Sequence, residues 1–484
     1  MIYKNTLGLA VMLALGMLAS GCAVGPDYKQ PSLSPDAAYP AQKTGAGQQT
    51  IVSGMDIPAQ WWELFQSKQL AAFVNEVLLK NPTLDAAKAA LRVAHEASRA
   101  QAGAYYPTLA MGIEPSRQRI ANTLASPAAS GDNLYNLTTA QLSVSFTPDL
   151  FGANRRAVES LVAQEEVQRH ELEAARLSLA ANAVSAAITE AQLRAQIEAA
   201  QSVLSIQINI IKSYERQVEL GQASQLDMAL QQSVLAQAEA ALPPLQKQFD
   251  ANRNLLSALV GRTPGESLSY QFTLDGLILP AELPLSLPAR LLEQRPDVLM
   301  AEAQLRAANA QIGVAVAARL PNINITASGG NAAVRAADLF SGPTTFWNLA
   351  ASLTQPIFDG GTLRHKQKGA EAAYDFSAAQ YRSTVIGAFQ NVGDALHAIE
   401  SDTAALLAAQ RAEQAATKTT QIARRQWQLG DISRLALFAA EQATAQSRSA
   451  LAQAKASRLS DTAALFQALG GGWWNRQESF ELNN

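Results

Sequence analysis

The chain has 484 residues, 48 % of them hydrophobic but only 6 % aromatic, and much of the apolar fraction is alanine spread through polar sequence. Such a mixture suits long, closely packed helices better than a thick globular core. Thirty-eight basic residues against 41 acidic ones give a formal net charge of -3, with no basic face for phosphate backbones, so nucleic acid is not expected as a partner.

At the N-terminus Lys4 precedes an apolar run from Leu7 to Leu18, followed by Ala19-Ser20-Gly21-Cys22. The run is too short to span a bilayer and reads as a secretory signal over residues 1–21. Cys22 is the only cysteine, which leaves no disulfide and no cysteine metal site. Small residues before a lone cysteine point to lipidation, the thiol receiving a diacylglycerol; no other cofactor is expected. Ala19 stands where the bacterial lipobox usually carries leucine, with Leu18 one place earlier, and Ala23 is not the aspartate that retains lipoproteins at the inner membrane. Outer-membrane sorting is the expectation. Residues 22–60 are rich in Pro, Gly, Ser, Gln and Ala without a period and read as an extended, lipid-anchored tether, with order starting at Trp61-Trp62.

From there the chain repeats itself. NPTLDAAKAALRVAHEASRAQAGAYYPTL (81–109) parallels RPDVLMAEAQLRAANAQIGVAVAARLPNI (295–323), and RQVELGQASQL (216–226) parallels RQWQLGDISRL (425–435), so that Gly221 meets Gly430 and Gly261 meets Gly470. The first copy covers 61–262 and the second 295–472, joined by a linker over 263–294 and followed by a tail over 473–484.

Each copy changes hydrophobic period in the same order. Leu109, Met111 and Ile113 alternate with small or polar residues, as do Leu142, Val144 and Phe146; in the second copy Ile323 and Ile325, then Trp347, Leu349, Ala351 and Leu353, do the same. A period of two predicts strands with one apolar and one polar face, near 106–114, 138–148, 320–328 and 346–357. Polar stretches at 115–135 and 328–345 read as exposed loops. Around the strands the pattern is helical. No glycine or proline occurs from Ala153 to Leu220, a span that reaches about 100 Å as one helix. Leu177, Ala181, Val184 and Ile188 step as a coiled-coil seam, as do Val385, Phe389, Val392, Leu396 and Ile399 in the second copy.

Strands of this length can cross a bilayer when tilted, apolar residues outward and small polar ones inward. Strands of a soluble sandwich would show the same alternation, but the anchor and the long helices argue against it. Four strands cannot enclose water, because small barrels fill with side chains, so several chains must contribute. Three would supply twelve.

CAVGPDYKQP after the signal, WWELFQSKQL at 61–70, LPLSLPARLLEQRPDV at 283–298 and LTQPIFDGG at 353–361 resemble the hallmarks of the outer-membrane factor lipoproteins of the NodT branch, relatives of TolC and OprM. The resemblance runs from Cys22 to about Trp474. It implies a TolC-like fold in a homotrimer: a twelve-stranded transmembrane β-barrel in outer-membrane lipid, a long α-helical coiled-coil barrel, and a mixed equatorial belt built from the chain termini and the linker. It further implies docking to a periplasmic adapter, the membrane fusion protein, and through it to an inner-membrane pump of the resistance-nodulation-division class.

The same resemblance makes the turns at Gly221 and Gly430 the adapter-docking tips, although plain helix caps would look alike. Beyond the second tip such channels often narrow to a ring of aspartates, and here Ala436 and Ala439 occupy the matching places. Asp227, at the first copy's equivalent of Ala436, is the leading aperture candidate, with Asp431 and Arg434 near the second tip and Phe438 as an apolar alternative. Asp227 also reads as a solvated helix charge. An enzyme is disfavoured, because His95, His170, His365 and His397 show no ligand spacing and no Walker A loop or GxSxG elbow occurs. Two further readings are a TolC-like channel for type I protein secretion and a periplasm-spanning lipoprotein that conducts nothing. The second leaves the amphipathic strands unexplained.

Overall fold

The computed structural model describes residues 23–30, 49–124, 132–266, 268–286 and 288–476. Cys22, the signal segment and the tail beyond Arg476 lie outside them. In chain order the elements are β1 (Thr50–Ser53), α1 (Lys68–Lys80), α2 (Pro82–Ala102), β2 (Thr108–Arg119), β3 (Leu134–Phe146), α3 (Ala153–Glu219), α4 (Gln225–Leu259), β4 (Glu282–Leu285), α5 (Pro288–Gln294), α6 (Pro296–Ala317), β5 (Asn322–Ala333), β6 (Thr345–Thr354), α7 (Thr362–Leu429) and α8 (Arg434–Ala468). They fall into two compact units.

One unit comprises residues 23–30, Leu91–Val167 and Ala301–Tyr381. It contains a four-stranded antiparallel sheet in the order β2-β3-β5-β6. The strands run further than the alternation alone predicts: Ser116 to Arg119 still pair with Leu137 to Leu134, because ladder hydrogen bonds belong to the backbone and continue past the apolar band. The loops are correspondingly shorter than 115–135 and 328–345. Pro115 sits on β2, which pairs on one side only, where a missing N–H is tolerated.

The sequence reading of residues 23–30 as tether needs correction. Val24 N–H donates to the Phe151 carbonyl at 3.1 Å, Asn309 donates to the Pro26 carbonyl at 2.9 Å, and Arg156 donates to the Val24 carbonyl at 3.2 Å and to Asp27 at 2.8 Å. Gly25 has a φ of 99°, and a Cβ there would meet Gly313 Cα at 2.6 Å. The segment has no hydrophobic period because polar and backbone contacts hold it.

The other unit comprises the described parts of Ser32–Ala90, Gln168–Met300 and Arg382–Asn484. Here too order begins before Trp61, since β1 pairs in parallel with β4 from Thr50↔Glu282 to Ser53↔Leu285, so the linker supplies a strand as well as α5. Trp61 and Phe65 are fully buried, and Trp61 stacks on Phe466 with centroids 5.3 Å apart. In α1, Leu70, Phe73, Val74 and Val77 recur at helical spacing on the buried face, and the Ser67 hydroxyl caps the helix by accepting from Leu70 N–H at 3.4 Å. Of the seam residues, Ala181, Val184 and Ile188 of α3 and Val392, Leu396 and Ile399 of α7 are buried, while Leu177, Val385 and Phe389 are half-buried. The helix α4 continues through Pro243 and Pro244, where two amide donors are missing and the neighbouring positions are exposed, so water can satisfy the freed carbonyls.

Candidate functional site

The sheet's register sorts its side chains completely. Leu109, Met111 and Ile113 of β2 lie opposite Val144, Leu142 and Ala140 of β3, and Val144 and Leu142 lie opposite Ala327 and Gly329 of β5. Ile323, Ala327 and Gly329 then face Leu353, Leu349 and Trp347 of β6. Every one of these lies on one face. The other carries Thr108, Ala110 and Gly112, then Ser145, Ser143 and Gln141, then Asn324, Thr326 and Ser328, then Thr354, Ser352 and Asn348. On that face the Ser145 hydroxyl donates to Asn324 Oδ1 at 3.3 Å and the Thr108 hydroxyl to the Ser145 carbonyl at 3.2 Å.

The apolar face has no cover. Met111 is 74 % exposed and Trp347 81 %, with Leu109, Ile113, Leu349 and Leu353 close behind. An apolar patch continuous across four strands is far beyond what a soluble monomer shows to water. Both outer strands, β2 and β6, also present an unpaired ladder edge among the described residues, and such an edge seeks another strand. The sheet therefore has a lipid-facing side, a water-facing side and two edges to be closed. Among the described residues no helix is long and apolar enough to cross a membrane.

In the other unit the two long helices end alike. Gly221 N–H donates to the Val218 carbonyl at 3.0 Å and Gln222 N–H to Gln217 at 2.7 Å; Gly430 N–H donates to Trp427 at 3.0 Å and Asp431 N–H to Gln426 at 2.9 Å. These are paired Schellman closures, which need a left-handed residue, and the glycines have φ of 69° and 81°. A Cβ at either would touch nothing within 4 Å, so both turns project into open space. Exposed Leu220, Leu226 and Leu429 surround them.

Past the first turn Ser224 and Asp227 form a capping box: Asp227 N–H donates to the Ser224 hydroxyl oxygen at 3.1 Å, while Ser224 N–H and hydroxyl donate to the Asp227 carboxylate at 3.0 and 2.6 Å. These bonds hold the Asp227 carboxyl below the usual carboxylate range. The S-x-x-D spacing in the sequence was the signal for this box. Past the second turn Ser433 alone caps α8, accepting from Ala436 N–H at 3.2 Å. Asp431 and Arg434 are exposed, and the Arg434 guanidinium lies over Phe438 and Trp427, 5.2 and 6.0 Å from the ring centroids.

Phe438 does not fit the apolar gate expected of it. It is 5 % exposed and packed with Ile206 and Ile210 of α3, flanked by Tyr214 and Leu435. A ring committed to the packing between α8 and α3 has little surface left to offer a lumen. Helical spacing identifies an apolar face but not which neighbour covers it.

A four-stranded sheet with a lipid face and open edges, in the same chain as two uninterrupted helices of 67 and 68 residues, defines the subunit of an outer-membrane channel. The family model described as "OEP: Outer membrane efflux protein" matches residues 73–262 and 287–471, and the chain belongs to this family. It is 29 % identical over 499 residues to the probable efflux pump outer membrane protein TtgC of Pseudomonas putida, with 99 % of each chain covered. It is 30 % identical over 419 residues to the pyoverdine export outer membrane protein OpmQ of Pseudomonas aeruginosa, covering 86 % of this chain and 87 % of that one. The structure superposes on the open state of the MtrE outer membrane channel of Neisseria gonorrhoeae with a TM-score of 0.80 at 26 % identity, covering 95 % of this chain and all of that one. The fold is TolC-like, with two internal repeats, and the protein is an outer-membrane efflux channel component rather than an enzyme.

Proposed function

We propose that three copies of this chain close one barrel and pass small molecules from a periplasmic adapter and an inner-membrane resistance-nodulation-division pump to the outside. The observation that carries this reading is the uncovered apolar face running across all four strands between two open edges. Joining β2 of one copy to β6 of the next removes both edges, and twelve strands leave room for an aqueous lumen where four do not. Relatives named for efflux of antibiotics, toluene and solvents and for pyoverdine export favour small molecules over secreted proteins as cargo. A diacylglycerol on Cys22 would tether each copy to the same membrane.

The turns at Gly221 and Gly430 are the proposed docking ends for the adapter, because they are apolar, exposed and have room around them. Asp227, Asp431 and Arg434 are the proposed charges at the narrow end. The test is chemical cross-linking of the purified lipoprotein in mild detergent together with conductance across a planar bilayer. Trimers and discrete conductance steps are expected. A monomer that leaves the bilayer sealed overturns the reading. Gly430→Trp, which has space for its side chain but costs about 1–2 kcal/mol at a left-handed φ of 81°, is expected still to fold and conduct yet fail to support efflux.

A further inference from the structure

Along the helix pair of the second copy two carboxyl groups meet where only one positive charge is available. In the antiparallel pair of α7 and α8, where Thr420 meets Thr444 at 2.8 Å and Arg448 meets Glu413 at 3.5 Å, the same register sets Asp402 of α7 opposite Asp461 of α8, and Arg458, one turn before Asp461, is 4 % exposed. Carboxylates only accept, so two facing each other form a bond only when one keeps a proton. Among the described residues neither Asp402 Oδ2 nor Arg458 Nη1, both buried, has a hydrogen-bond partner, so acid and base here are left unsatisfied by their surroundings. The site lies about 40 Å along α7 from Gly430, well away from the turns.

The first copy is built differently at the same level. The common spacing of the paired turns places Leu193, Phe249 and Asn252 at the positions of Asp402, Arg458 and Asp461. Asn252 donates to the Ala186 carbonyl at 2.9 Å, with no titration possible. The charge network there is centred on Glu190, 0 % exposed, which accepts from Arg194 at 2.6 Å and Arg253 at 3.3 Å. One acid there lies between two bases. Two acids sharing one base do not balance until a proton joins them.

We propose that the second copy's helix pair carries a proton-operated clamp: one proton shared by Asp402 and Asp461 holds α7 against α8, and its loss as pH rises loosens the pair at this level. Burial, reinforced by the hydrogen bond to Asp461 and its charge, lifts the Asp402 carboxyl from its ordinary 3.8 to about 6, and burial likewise lowers the Arg458 guanidinium. A folded-state value above the unfolded one means the contribution is complete below about 3.8 and disappears as pH passes through about 6. Protons can arrive through an adjoining cavity of about 430 Å³, lined by Asp461, Asp394, Asn391, Gln467 and Arg295. The charged groups facing the pair are thus Arg458 beside it and, across the cavity, Asp394 and Arg295. Arg295 does not neutralise Asp461, being held by Asp297 at 2.7 Å and the Ala468 carbonyl at 2.8 Å.

The experiment is thermal unfolding of the full-length protein in detergent from pH 3.5 to 8, for the unmodified protein and Asp402→Asn, with infrared detection of protonated carboxyls in aspartate-labelled samples. The unmodified protein should lose stability as pH rises from about 3.8 through about 6, on the order of 100-fold in its folding equilibrium over the full titration. Asp402→Asn, which keeps a donor for Asp461 but cannot titrate, should flatten that step. The infrared band of a protonated aspartate should be present at pH 5, vanish by pH 7.5, and be missing in Asp402→Asn and reduced or shifted in Asp461→Asn. An unchanged pH profile in Asp402→Asn overturns the clamp. Should that variant not fold, absence of the band from the unmodified protein at pH 5 overturns it equally, and its presence sustains it.

Discussion

Asp227 and Ala436 occupy the same place after the two turns, yet only Asp227 reaches back to its cap, accepting from the Ser224 hydroxyl at 2.6 Å. The carboxylate is therefore already engaged within its own helix start, where it also meets the positive end of the helix dipole. Asp227→Ala should speed amide hydrogen exchange severalfold at residues 225–228 and leave exchange around Ser433 unchanged. Because the folded carboxyl titrates below 3.8, its contribution is intact at neutral pH and is lost only as pH falls through that depressed value. Conversely Ala436→Asp should complete a second capping box and slow exchange at the start of α8. Equal exchange in all three proteins would remove the capping role.

The burial of Phe438 leads to an expectation opposite to that for a gate. Phe438→Ala should cost about 3–5 kcal/mol in a denaturant titration, the usual range for a buried phenylalanine. Phe438→Leu should recover most of that loss. Ion selectivity measured on single channels should not move in either variant that still assembles. A selectivity change in Phe438→Leu without a stability change would mean the ring reaches the lumen after all.

For the sheet, the two faces should respond to charge in opposite ways. Met111→Arg places a cation on the lipid face and should cost about 2–4 kcal/mol if that position lies at the bilayer midplane. Ser143→Arg, on the opposite face of the neighbouring strand, should fold into vesicles as well as the unmodified protein while altering conductance. Urea titrations in lipid vesicles separate the two. Similar losses for both substitutions would mean that the face pointing to water is not the one assigned.

These contrasts show which features sequence alone could reveal. The strands were readable because a sheet between lipid and water must alternate, and Leu109, Met111 and Ile113 do so without interruption. Gly221 and Gly430 were readable because a left-handed closure admits few other residues. The extent of β2 was not, since Ser116 to Arg119 pair through their backbone and carry no apolar mark. The pairing of Thr50–Ser53 with Glu282–Leu285 left no local trace either, being a contact between segments remote in the chain. Phe438 and Ile399 look alike by helical spacing, and only the neighbouring helices decide what each one touches.

The strap at residues 23–30 offers the last test, because one side chain, Arg156, supplies several of its polar contacts. Arg156 is 5 % exposed and bonds the Val24 carbonyl at 3.2 Å, Asp27 at 2.8 Å and Glu159 at 2.8 Å. Its two acidic partners remain solvated when it is removed, Asp27 being 90 % exposed, so they add little to the loss. The Val24 carbonyl and the space left by the guanidinium stem account for most of it, on the order of 1–3 kcal/mol of local stability. Arg156→Ala should therefore make the segment before Tyr28 cleavable by a nonspecific protease at concentrations that spare the unmodified protein, with the global melting temperature lowered only slightly. Arg156→Lys should protect only in part, because an ammonium cannot span the carbonyl and both carboxylates as the guanidinium fork does. If Arg156→Ala resists cleavage as well as the unmodified chain, the strap is held by its other contacts, Val24 to Phe151, Asn309 to Pro26 and Gly25 against Gly313, rather than by the arginine.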